Sequence, residues 1–185
     1  GDKPLKALIM PHAGYVYSGL TAAHASLALK GRHYSKVIIM GPDHRVGFSG
    51  AAISNVSAYA TPLGEAPLHP DASLLLQQSA LFQSIGKSYD LEHCIEAEIP
   101  FLQKYLDQFK IIPIVMGRGD ADSYATAIGA IIDSDTLIVV STDDPGDFYV
   151  DTHRVTVTDG QLTVALSSTS DVVINAMAIT PADTE

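Results

Sequence analysis

The sequence predicts an α/β domain: a mainly parallel sheet flanked by helices, followed by a C-terminal antiparallel β segment. Three observations carry this. Short, continuous apolar runs recur at strand length, amphipathic stretches with capping residues separate them, and after about Asp147 the pattern changes to polar–apolar alternation. Strands buried on both faces read as unbroken apolar runs, whereas a half-exposed hairpin alternates with period two.

Leu5–Met10 (LKALIM) is the first expected strand, ending at Pro11. Ser18 is a candidate cap for a helix to about Lys30, with Gly31 as terminator. Lys36–Met40 (KVIIM) is the second strand, closed by Gly41-Pro42, and Gly50–Ser54 is a third. Asp71 is the expected cap of a helix to about Leu81. A further helical stretch covers about Cys94–Phe109, where Pro100 implies a kink or a late start. Lys110–Val115 is again strand-like, Asp120 caps a helix to about Asp133, and Thr136–Ser141 (TLIVVS) is another buried strand. Beyond these, His153–Val157, Gln161–Leu166 and Asp171–Ile179 alternate, with Thr158-Asp159-Gly160 as a tight-turn signal. The expected division is an α/β domain over 1–148 and a β-rich tail over 149–185 that extends the sheet or pairs with another subunit, giving a homodimer.

Composition narrows the function. The chain has 185 residues, 46% of them hydrophobic and 17% charged, which is enough apolar material for a sizeable core. Lys and Arg total 11 against 21 acidic residues, a net charge of −10 that disfavours nucleic acid and anionic membranes. The expected partner is a small-molecule substrate or another protein. A single cysteine, Cys94, excludes an intrachain disulfide, and no apolar run reaches the ~18 residues of a membrane span. A cytoplasmic protein is expected. Because the chain opens with Gly1 directly before a core strand, removal of the natural start is also expected.

Ligands of open parallel sheets bind beyond the carboxyl ends of the strands. There LKALIM runs into Pro11-His12-Ala13-Gly14-Tyr15, KVIIM into Gly41-Pro42-Asp43-His44, and TLIVVS into Thr142-Asp143-Asp144. Two imidazoles from neighbouring strand ends suit iron, copper or zinc, and a carboxylate such as Asp143 completes a two-histidine, one-carboxylate set. His93, in Leu91-Glu92-His93-Cys94-Ile95-Glu96, is a candidate third ligand, general acid–base or anion contact. The bland readings are solvated loop histidines at 12 and 44, a helix-capping role for His93 and a buried structural thiol at Cys94. His69, in Pro67-Leu68-His69-Pro70, is expected to be an ordinary loop residue.

The order PHAGYVYSGLTAAHA, GPDH, YATPLGE, EHCIEAEIPFLQKY, IIPIVMG and IVVSTDD resembles the Memo family over residues 3 to about 143. That resemblance implies a fold related to the class III extradiol dioxygenases, which use non-haem iron. It implies metal-site roles for His12 and His44, and a pocket-lining role for His93, beside which Cys94 replaces the usual serine. The family usually continues the last strand as SSDLSHY, whereas here Ser141-Thr142-Asp143-Asp144-Pro145-Gly146-Asp147 lacks that histidine, and a later cysteine ligand is not reached. Asp143 or Asp147 is the candidate substitute. The functional expectation is a metal-dependent dioxygenase with His12, His44 and Asp143 around a divalent ion and His93 and Asp143 as catalytic groups. The alternatives are an esterase-type hydrolase in the same pocket and a non-catalytic binding or adaptor protein.

Overall fold

Alternation of side chains on β2 (Lys36–Pro42) sets the two-faced core of the molecule. In the computed structural model, which describes residues 5–142 and 177–179, Val37 and Ile39 face one buried cluster and Ile38 the other. Each such side chain contributes about 1.5–3 kcal/mol by leaving water, so a strand buried on both faces must read as a continuous apolar run. β7 (Lys110–Met116) obeys the same rule, while β1 (Ala7–Pro11) and β8 (Thr136–Thr142) bury one face fully and the other in part. These four strands form the parallel centre of a sheet. Among the described residues it is extended by β3 (Ala51–Ile53), β6 (Phe82–Gln83) and β9 (Met177–Ile179), in the order β6-β3-β7-β2-β8-β1-β9. β3 runs antiparallel to β7, and β9 antiparallel to β1 at the opposite edge. The fold is therefore α/β with a mostly parallel sheet and a C-terminal antiparallel strand. Of the predicted tail, 149–185, only 177–179 lies within the described residues.

The helices cover the faces, with several departures from the expected starts. α1 (Tyr15–Ser26) begins three residues before Ser18, after Gly14, whose carbonyl accepts the amides of Tyr17 and Ser18. Ser18 is buried inside the helix, and its hydroxyl donates back to Ala13 O at 2.7 Å rather than capping. α2 (Pro70–Gln78) is capped by His69, whose Nδ1 accepts the Asp71 amide at 3.2 Å, because Pro70 fixes the first helical position. His69 thus has the structural role, and Asp71 is released for an ion pair. Residues 94–98 make turns, so the helix expected from Cys94 is only α4 (Ile99–Gln103), started late by Pro100. α5 (Ala121–Gly129) is capped by Asp120 as its sequence requires, with Ser123 N donating at 2.9 Å. The sequence reading missed α3 (Gly86–Asp90) and the hairpin of β4 (Ala58–Thr61) and β5 (Gly64–Pro67). Gly64, at φ +117, marks that hairpin's turn.

Lys36 opens β2 at the amino edge of the sheet and is buried. Its ammonium donates to Ile131 O at 2.7 Å and lies 2.8 Å from Asp133 and 2.8 Å from Asp71. Three protons thus meet three acceptors.

Candidate functional site

Parallel register brings the carboxyl ends of β1, β2 and β8 to one edge. Pro11 pairs with Thr142, Met40 with Val140, and the His12 amide donates to Thr142 O at 2.9 Å. His12 therefore stands one residue past β1, beside the end of β8, and His44 two residues past β2. The turns between α3 and α4 carry His93 to the same edge.

The three rings converge. Centroids are 5.2 Å apart for His12 and His44, 5.7 Å for His12 and His93, and 6.1 Å for His44 and His93. His12 is buried at 2% exposure, whereas the His93 side chain is about half exposed, at 49%. Among the described residues no group of three histidine, cysteine, aspartate or glutamate side chains closes into a set that could hold a metal ion. Asp143, expected as a ligand and catalytic group, directly follows β8 and lies outside the described residues, as does Asp147.

Two buried carboxyl groups that the sequence reading did not single out as site residues stand behind these rings. Glu92 is buried, and its carboxylate oxygens lie 3.0 Å from His44 Nδ1. It also accepts the amides of His44 and His93, both at 2.9 Å, and that of Cys94 at 3.3 Å. Burial alone would raise its pKa, but these amides and the His44 ring outweigh burial and lower it to about 2. Glu92 is thus a fixed anion, and the His44 Nδ1–H donates to it. Glu98 is fully buried and behaves oppositely, because burial pushes its pKa up to about 8 against one hydrogen bond with Ser141. Ser141 Oγ, near the end of β8, lies 2.9 Å from His12 Nδ1, 2.6 Å from Cys94 O and 3.1 Å from Glu98 Oε1. An acid between Ile95 and Ile99 was the available signal for Glu98, since a charge at a core-facing position demands a partner.

Cys94 is a structural thiol. It is fully buried, its pKa is raised by burial and the neighbouring Glu92 and Glu96, and Sγ donates to Pro42 O at 3.4 Å. Gly41 is required opposite it, because a Cβ there would collide with the sulfur. The turn carrying both glutamates thereby rests directly on β2. Tyr15 adds a second tether by donating its hydroxyl to Ala97 O at 3.0 Å.

Comparisons with known proteins place this edge in context. The family model described as Memo-like protein matches residues 1–148. Protein MEMO1 of Homo sapiens is 32% identical over 151 residues, covering 76% of this chain and 50% of that protein. A MEMO1 family protein of Sulfolobus acidocaldarius is 39% identical over 145 residues, covering 73% and 51%. One of Methanobrevibacter smithii is 33% identical over 150 residues, covering 77% and 53%. The chain spans about half the length of these curated relatives. The family match and these identities agree with the six motifs and with the sheet edge they build, and the chain belongs to the Memo family.

Proposed function

We propose that this chain holds a divalent transition metal at the carboxyl edge of its sheet through His12 and His44. The observation that carries the reading is that both rings have Nδ1 engaged by a buried oxygen, Ser141 Oγ for His12 and Glu92 for His44. Protein-bound metals prefer such histidines, since a partner on one ring nitrogen fixes the tautomer and aims the other. Imidazole donors suit iron, copper or zinc, and Asp143 is the candidate third ligand because it follows the adjoining strand β8. A bound ion would polarise a substrate oxygen or lower the pKa of a bound water.

The chain's own residues divide the remaining work. Glu92 accepts the His44 Nδ1 proton, which fixes the ring's orientation, and supplies the negative charge that offsets a cation. His93, half exposed at the rim, is placed to move a proton between the site and solvent. The reading favours a small-molecule substrate and dioxygenase-like or hydrolytic chemistry.

The test is elemental analysis and calorimetric titration of the full chain with iron, copper and zinc, beside His12→Ala and His44→Ala. Near-stoichiometric binding is expected, weakened in each variant by more than the roughly 10–100-fold typical of outer-shell changes. Wild-type protein that takes up no metal above background, or variants that bind like wild type, overturns the proposal.

A further inference from the structure

Helix α1 is built inside out. The side chains it buries are small, Ser18, Ala22 and Ser26, whereas its outer face carries Val16, Tyr17 and Leu20 at 94%, 82% and 74% exposure. A helix lying on a sheet normally buries its large apolar residues and turns polar ones to water. Single exposed apolar side chains are ordinary, but these belong to a continuous stripe. Val16, Leu20, half-buried Ala23 and exposed Leu27, in the 3₁₀ turn that continues α1, follow one another at spacings of four, three and four residues. That is the narrow seam along which one helix packs on another.

We propose that the outer face of α1 is a dimerisation surface, and that its occupant is α1 of a second copy of this chain, packed antiparallel across a two-fold axis. The stripe is its own complement in that arrangement. With the axis between Thr21 and Ala22, Leu20 faces the partner's Ala23 and Val16 faces the partner's Leu27, so the large central residue meets the small one. A parallel pair would set alanine on alanine and leave a gap there. Charge selects the same partner. Between Lys6 and Lys30 the sequence holds no Asp, Glu, Lys or Arg, in a chain of net charge −10. Two copies repel through their acidic surface, and α1 lets them meet without setting like charges opposite. The seam of this 12-residue helix is roughly 18 Å by 10 Å, well short of the roughly 800 Å² per partner of a tight complex. A weak, concentration-dependent dimer is therefore expected. It uses α1 rather than the 149–185 tail through which the sequence reading expected a homodimer.

The test is sedimentation velocity of the full chain from micromolar to millimolar concentration. Wild type is expected to pass from monomer to dimer as concentration rises. Leu20→Glu, which places two carboxylates near the axis, is expected to stay monomeric throughout. Leu63→Glu, at an exposed apolar position in the β4–β5 turn, should dimerise as wild type does. Should Leu20→Glu fail to fold, Leu20→Ala decides, since it only trims an exposed side chain; its dimer is expected to be about tenfold weaker. The chain has no tryptophan, so Tyr17→Trp supplies a sole fluorescent probe of the face, whose emission should move to shorter wavelength as the dimer forms. Wild type that is monomeric at every concentration overturns the proposal, and so does a dimer that the Leu20 substitutions leave equally tight. Emission already shifted in the monomer would mean that the chain itself covers α1, and unshifted emission in the dimer would mean that copies meet elsewhere. Either overturns it as well.

Discussion

The two ends of the central sheet each bury a polar cluster, and their chemistry differs in one respect. At the amino edge Lys36 has three protons and three acceptors within 2.8 Å. At the carboxyl edge, among the described residues, Ser141 has a single proton and three neighbours, Glu98 keeps one oxygen without a hydrogen-bond partner, and three imidazoles face one another. The first cluster is closed: every donor is spent inside it, and its role is to start β2 and anchor α2. The second differs, since its internal bonds tie two histidine rings to buried oxygens and fix their orientation. A completed polar network marks architecture, and an incomplete one at a sheet's carboxyl edge marks a site.

Three tests break or sharpen this contrast. The largest effect is expected at Lys36. Lys36→Met removes a buried cation from between two carboxylates and is expected to cost about 3 kcal/mol in urea unfolding. It should leave the His12 and His44 ring signals unchanged. If those signals move as much as the stability does, the two edges are not independent.

Gly41→Ala comes next. Its Cβ would collide with Cys94, and overpacking of this kind costs about 1–3 kcal/mol. Unlike the lysine variant, it should shift the histidine signals, because displacing Cys94 moves the carbonyl that holds Ser141. Cys94→Ala in the same chain should restore much of the stability, a non-additivity read from a double-mutant cycle. Additive losses would show that the close packing of Gly41 on the sulfur is not what the alanine disturbs.

The last test reads a slope. Glu98 binds its proton more tightly when folded, with a pKa raised from 4.5 to about 8. Its contribution to stability is therefore complete below about 4.5 and is lost as pH rises towards about 8. Unfolding midpoints across this window should fall less steeply in Glu98→Gln than in wild type. Equal slopes would mean that Glu98 ionises in the folded protein as it does in water.

Where the sequence reading of the fold succeeded, the signal was local. His12 and His44 were singled out because each follows strand-end punctuation, Pro11 and Gly41-Pro42, and parallel strands carry such segments to one edge, whereas His93 was singled out at the start of an expected helix. Glu98 and Ser141 were passed over because their partners lie 43 and 129 residues apart in the chain. Nothing near Ser141 in sequence says that its hydroxyl meets both an acid and an imidazole. The misplaced caps have the same origin. Ser18 and Asp71 are sound capping residues, but packing turned one inward and an ion pair with Lys36 claimed the other.

The sequence by itself determined the parallel centre of the sheet, the family, and which histidines meet at its edge. Those follow from hydrophobic periodicity and from motifs a few residues long, which act through the nearest neighbours in the chain. Tertiary structure alone decided the protonation states: Glu92 an anion through three backbone amides and a ring, Glu98 an acid through burial beside a hydroxyl already spent on a carbonyl. A carboxyl group's charge is set by the dielectric and the donors around it, and those exist only once distant segments have packed.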